Sequence, residues 1–318
     1  MPPKVSIIIA VGVPGAYLDE CTMHCLQLDY PDFEIIVLPD EAWEAPVTDI
    51  QVIPTGRVRP AEKRDRGVKE ANGEIIAIID DDVYPDPDWL SKAVRHFNDP
   101  AVAAVGGPGM TPPADTCRQR ISGWIYESPI VSGGFTFRYK PARMRDVDDY
   151  PTSNLIIRKS DFLAAGGFNT GYWPGEDTIL CLKLTHELGK RIVYDPEVRV
   201  HHHRRAIFCP HLRQIKSYAL HRGFFVKKFP RTSFRASYFI PSLFTLFCLF
   251  GWLTFWMEKE LFTVWTVVML AYASLIMLFS LRTANPLGIM GVFVGTFFTH
   301  IVYGIWFIGG LLSTELRD

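Results

Sequence analysis

Two things this sequence is short of are paired cysteines and net charge. Its six cysteines are scattered, with no Cys-x-x-Cys set, which excludes a disulfide scaffold and a ribbon-type zinc site. Cys21 and Cys25 share one helical face around His24 but have no second ligand pair, so reduced thiols in a cytosolic domain are the simpler account. A net charge of -1 leaves no global field for nucleic acid to follow, and no nucleic-acid partner is expected. Acids are also missing locally. None occurs between Glu197 and Glu258, while nine lysines and arginines accumulate from Arg204 to Arg235.

What the chain does have is a buried strand that ends in acid. Residues 75–79 are apolar and mostly β-branched, and they run straight into Asp80, Asp81 and Asp82 before Tyr84-Pro85-Asp86-Pro87 stops the strand. In open α/β sheets, ligands bind beyond the carboxyl ends of the strands. Three acids placed there repel one another unless a cation or a donor-rich ligand neutralises them. Hard oxygen ligands suit Mg²⁺ or Mn²⁺, held by one or two carboxylates together with substrate phosphates. A solvated acidic turn is the bland alternative, and the buried strand in front of it weighs against that.

Around this stretch the pattern alternates. Residues 5–11 form a first strand rather than a signal peptide, since they are β-branched and followed by Val13-Pro14-Gly15. A helix over 16–28, strands over 33–38 and 50–53, and a charged helix over 60–71 lead to the central strand. Further strands are expected over 101–105, 153–158, 191–194 and 198–203, with a helix over 179–188. Residues 106–150 read as loops or antiparallel strands near the active face. Alternation of this kind predicts an α/β domain on a mainly parallel sheet with right-handed crossovers.

Beyond Arg205 the composition changes. Residues 206–236 mix basic and apolar groups, as a segment lying at a membrane interface does. Apolar runs over 238–257, 262–281 and 289–312 are each long enough to cross a bilayer core of about 30 Å. The expected organisation is therefore a domain over 1–205, an interface segment over 206–236, three transmembrane helices within 237–312 and a short tail over 313–318. The basic stretch before the first span places the domain on the cytoplasmic side of an inner or plasma membrane. Gly291 and Gly295 have the spacing that lets helices pack closely, and His300 lies mid-span, where a neutral, hydrogen-bonded imidazole is expected.

Two further clusters carry chemistry. Glu176-Asp177 opens a predicted helix after Gly171-Tyr-Trp-Pro-Gly175. Acids at a helix start also favour the dipole, but aromatic bulk in a flexible loop is the composition of an acceptor-binding wall, with Trp173 its largest ring. A carboxylate there can take a proton from an attacking hydroxyl. In His201-His202-His203 strand alternation turns His202 away from its neighbours, so a single imidazole can complete a cation's shell. A basic surface strand is the competing reading, and which of the three binds metal stays open.

Taken together, residues 4–205 resemble family 2 of the inverting glycosyltransferases, of the membrane-anchored bacterial or archaeal type with the GT-A fold. The resemblance is carried by Val5-Ser-Ile-Ile-Ile-Ala10, Phe33-Glu-Ile-Ile-Val-Leu-Pro-Asp40, Lys63-Arg-Asp-Arg-Gly67, Gly73 to Asp82, Gly166-Gly-Phe168 and Gly175-Glu-Asp177. It implies that Asp80 and Asp82 hold the divalent ion, beside the imidazole that strand alternation offers in His202, and that Asp40, Arg64, Asp80 and Asp81 bind the nucleotide sugar. It implies that Asp177 is the catalytic base, with Glu176 its competitor. Pro39-Asp40-Glu41 departs from the family's paired aspartates and glycine, which leaves the choice of nucleotide open. Gln214 is followed by Ile-Lys-Ser and not by the family's processive Gln-x-x-Arg-Trp, which implies addition of one sugar rather than polymerisation.

The reading is a membrane-bound glycosyltransferase acting on a lipid-linked or polyprenyl-phosphate acceptor, with Arg222 near that phosphate. Its rival is a membrane assembly subunit that binds a nucleotide or cation without turnover.

Overall fold

The computed structural model describes residues 2–316, so the last two residues of the expected tail lie outside it. From the N-terminus come β1 (Val5–Ala10), α1 (Ala16–Cys25), β2 (Phe33–Leu38), β3 (Ile50–Val52), α2 (Pro60–Glu70) and β4 (Ile75–Asp80). Next are β5 (Val83–Pro85), α3 (Trp89–Val94), β6 (Val102–Gly106), β7 (Gly109–Met110), α4 (Cys117–Glu127) and α5 (Pro129–Ser132). They are followed by β8 (Arg145–Val147), β9 (Asn154–Arg158), α6 (Lys159–Ala164), α7 (Glu176–Leu182), β10 (Arg191–Tyr194) and β11 (Val200–His202). The rest is helical: α8 (Cys209–Lys228), α9 (Pro230–Ser233), α10 (Ala236–Phe250), α11 (Lys259–Ser280) and α12 (Pro286–Leu312). By contact the chain forms two units, Met1–Pro112 with Phe137–His203, and Pro113–Thr136 with Arg204–Asp318.

The first unit is built on a mixed, mainly parallel sheet in the order β3-β2-β1-β4-β9-β6-β10-β8. β1 pairs in parallel with β2 and with β4, in a register that sets Ala10 beside Leu38 on one side and Asp80 on the other. The apolar run of β4 is sealed, Ile75 to Ile79 being at most 1% exposed. The strand over 154–158 is antiparallel to both neighbours, β4 and β6. A second, small sheet orders β5-β11-β7 and pairs His202 with Val83, one residue past the acid tip.

In the second unit the structure departs from the expected division at residue 205. The stretch read as loops or antiparallel strands does hold the antiparallel β8, but it also contains α4, which starts at a capping box: the Thr116 hydroxyl accepts from the Gln119 amide, and the Gln119 side chain accepts from the Thr116 amide. Ile121 and Ile125 of α4 then pack with Ile207 and Val292. An apolar pair one helical turn apart needs a partner surface, and here it finds one in the C-terminal helices. Gly291 and Gly295 turn out to face these α4 isoleucines and Ile207.

Among the described residues three helices are long and apolar enough to cross a membrane, Ala236–Trp256, Lys259–Thr283 and Pro286–Leu312. The basic segment before them forms α8 over Cys209–Lys228. α8 runs parallel to α12, His211 meeting Thr299, Lys216 meeting Trp306 and Lys227 meeting Ser313. The approach is backbone-close: a Cβ on Gly223 would run into the Phe307 carbonyl, and one on Gly310 into that of Leu220. Both ring nitrogens of His300 are engaged, Nδ1 with the Tyr272 hydroxyl at 2.7 Å and Nε2 with the Ile130 carbonyl at 3.1 Å. The carbonyl requires a donor, so the ring carries its proton on Nε2.

Candidate active site

The site assembles around α2, whose Pro60 pre-sets the first turn and whose Lys63 and Arg64 are buried. The Arg64 guanidinium lies 2.7 Å from an Asp80 oxygen and 2.7 Å from a Glu176 oxygen. Burial opposes its charge, but the two carboxylates outweigh that and raise its pKa. Lys63 donates to the carbonyls of Val11 (2.7 Å) and Leu38 (3.2 Å) and pairs with Asp40 at 2.6 Å. Asp40 is thereby held at the carboxyl ends of β1 and β2.

At the acid tip, Asp80 closes β4 and points to Arg64, while Asp81 and Asp82 form the turn into β5. His202 Nε2 sits 3.5 Å from Asp82 Oδ1. Alternation along β11 sends the neighbouring rings elsewhere, His201 to Asp86 at 3.0 Å and His203 to Glu20 at 2.9 Å. Of the three histidines, His202 is therefore the one brought to the acids. The His203 amide also donates to the Asp82 carbonyl, locking the two segments together.

Among the described residues no three His, Cys, Asp or Glu side chains converge as a ready metal cage. A carboxylate and an imidazole, both partly open to solvent, fit an ion that takes its remaining ligands from water and phosphate oxygens. The structure gives Asp80 to Arg64 and brings Asp82 and His202 together, so the expected set of Asp80, Asp82 and His202 is only partly gathered.

The second acid pair is organised by Gly175, which caps α7 at φ +119°, a conformation that side-chain-bearing residues rarely adopt. The turn directs Glu176 inwards, where Oε1 meets Arg64 and Oε2 accepts from the Gly175 amide at 3.1 Å. Asp177, one residue on, remains partly exposed and accepts from the Thr178 amide at 2.8 Å. Burial, then the charges of Glu176 and Asp149, push the Asp177 carboxyl up to about 7. Trp173 is 51% exposed on the loop before α7, and Arg59 donates to the Gly171 carbonyl of that loop. Arg222 belongs to the second unit, where its guanidinium lies 4.6 Å over the Tyr238 ring.

Two participants were not singled out from the sequence. Lys63 stood in the quoted Lys63-Arg-Asp-Arg motif without a role, though a lysine beside the arginine expected to bind the nucleotide was a usable signal. Asp149 lay in the loosely patterned stretch over 106–150, where no periodicity marks it.

With this geometry the sheet, its acid-tipped central strand and the helix that opens with Glu176 and Asp177 have the arrangement of a GT-A fold. Residues 6–164, half of the chain, match the model of Glycosyl transferase family 2, and the chain belongs to that family. It is 26% identical over 154 residues to the glucosyl-dolichyl phosphate glucuronosyltransferase of Haloferax volcanii, covering 44% of this chain and 46% of that relative. It is 24% identical over 245 residues to the dolichyl N-acetyl-alpha-D-glucosaminyl phosphate 3-beta-D-2,3-diacetamido-2,3-dideoxy-beta-D-glucuronosyltransferase of Methanococcus voltae, covering 70% and 74%. This chain thus spans about half the length of the first of these relatives. Among solved structures, the mannosyltransferase of Pyrobaculum calidifontis in complex with GDP-Man and Mn²⁺ superposes with a TM-score of 0.56, covering 99% of this chain and 89% of that one. At 18% identity that likeness is one of fold.

Proposed function

We propose that this chain is a membrane-anchored, metal-dependent inverting glycosyltransferase that moves one sugar from a nucleotide-sugar donor to a lipid-linked acceptor. The observation that carries the reading is the Arg64 bridge. One buried guanidinium ties Asp80 of the acid tip to Glu176 at the start of α7, so the donor-binding end and Asp177 belong to one site. Asp82 and His202 are the protein's ligands for Mn²⁺ or Mg²⁺, with Asp80 and Asp81 beside them. A divalent ion bound there supplies positive charge to the leaving diphosphate. Asp40, held by Lys63, meets the base or ribose. Asp177 takes the proton from the acceptor hydroxyl, and Trp173 walls the acceptor. The sugar-bearing dolichyl phosphates in the names of two relatives support a lipid-linked acceptor here. The nine basic residues without an intervening acid support a cytoplasmic catalytic unit, with Arg222 among those available to a membrane phosphate.

The test is a screen of sugar nucleotides for Mn²⁺-dependent binding to purified protein in detergent, followed by turnover with a polyprenyl-phosphate-linked saccharide. The expected result is saturable binding that Asp82→Ala and His202→Ala weaken. Binding indifferent to Mn²⁺ and to both substitutions sinks the metal assignment, and binding without turnover favours the assembly-subunit reading.

A further inference from the structure

Resting on Asp177 as the base, we infer that Asp149 and Thr178 are positioning residues that seat it. Thr178 touches both carboxylates through different donors. Its amide gives a hydrogen bond to Asp177 Oδ1 at 2.8 Å, and its hydroxyl gives one to Asp149 Oδ1 at 3.0 Å. Asp149 is clamped from the far side by Arg138, whose guanidinium reaches Oδ2 at 3.0 Å and the Asp149 carbonyl at 2.7 Å. Both members of that clamp are buried, at 8% and 9% side-chain exposure. The seat therefore holds the first turn of α7 by a fixed ion pair rather than by packing alone.

The charge of the seat also bears on the chemistry. Burial, then Glu176 on the same helix and Asp149 on the preceding segment, oppose ionisation of Asp177, and the Thr178 amide and Arg138 offset part of this. Arg64 reaches the helix through Glu176. The Cys181 thiol, one turn further on, is occupied by the backbone of Tyr150. A base that must accept a proton near neutral pH works best when its conjugate acid titrates there.

Asp149→Asn keeps an oxygen for the Thr178 hydroxyl and removes the charge. It is expected to move the ascending limb of the kcat–pH profile down by about one unit, with donor affinity unchanged. Thr178→Val is expected to lower kcat about tenfold, the loss of one buried hydrogen bond, and Thr178→Ser to restore it. A second readout needs no substrate. Because the folded carboxyl titrates near 7 against an ordinary 3.8, the native state holds a proton the unfolded chain has released, and stability falls across that window as pH rises. Melting curves of the full chain in detergent should show the window shifted down in Asp149→Asn and abolished in Asp177→Asn. If Asp177→Asn is inactive while Asp149→Asn superimposes on the parent in both profiles, the seat is wrong and the base stands. If Asp177→Asn turns over normally, the base reading falls, and the melting curves still decide the seat. Should Asp149→Asn fail to fold, unchanged kcat in Thr178→Val overturns the proposal.

Discussion

In the sheet unit, Lys63, Arg64 and Arg138 meet carboxylates at 2.6, 2.7 and 3.0 Å, whereas in the helical unit Lys216 lies 3.8 Å from the ring centre of Trp306 and Arg222 4.6 Å from that of Tyr238. Carboxylate pairs are directional and buried, so they fix atoms in place. A ring face attracts a cation through its quadrupole and is less directional than a carboxylate. Charge in one region is thus set against carboxylates, and in the other against aromatic rings.

The sharpest way to break this contrast is at Asp177. Asp177→Asn should lower kcat by about 10² to 10⁴-fold while leaving donor binding nearly intact, and Glu176→Gln should do less to turnover. An inactive Glu176→Gln beside a normal Asp177→Asn would exchange their roles.

Next in size is Arg64→Ala, which leaves Asp80 and Glu176 facing each other without their cation. Removing one partner of a buried pair costs about 3–5 kcal/mol, measurable by denaturant unfolding in detergent. Arg222→Ala should leave unfolding nearly unchanged, and equal losses in the two variants would erase the distinction between the units.

A pH series sharpens the same point. Turnover should rise with an apparent midpoint near 7, where Asp177 gives up its proton, and a flat profile between pH 5 and 8 would count against it. The smallest effect belongs to the helical unit. Lys216→Ala and Arg222→Ala should each weaken binding to anionic vesicles about fivefold, the worth of about 1 kcal/mol per basic side chain. Added salt should erase that difference, and a loss that persists at high salt points to packing instead.

Much of this was legible in the residues. Apolar runs bounded by Gly, Pro and Asp located β1, β2 and β4 to within a residue or two, because a strand buried on both faces admits little else. Three long apolar runs marked the helices fit to cross a membrane. Alternation along β11 turned His202 apart from its neighbours, and β5 pairing carried it to Asp82. The Thr116-x-x-Gln119 cap of α4 was also present in the sequence but stood outside any hydrophobic periodicity strong enough to draw attention to it.

By itself the sequence determined which segments must be buried and where acids interrupt them, since local pattern and composition decide both. Only the tertiary structure decided which acid meets which cation. Arg64 lies 112 residues from Glu176 and 16 from Asp80, and no periodicity encodes such a pairing. The same holds for α8, whose basic composition suggests an interface but whose Gly223 meets the backbone of α12. Whether a glycine is a tolerated gap or a contact depends on what approaches it, and that is settled when distant segments pack.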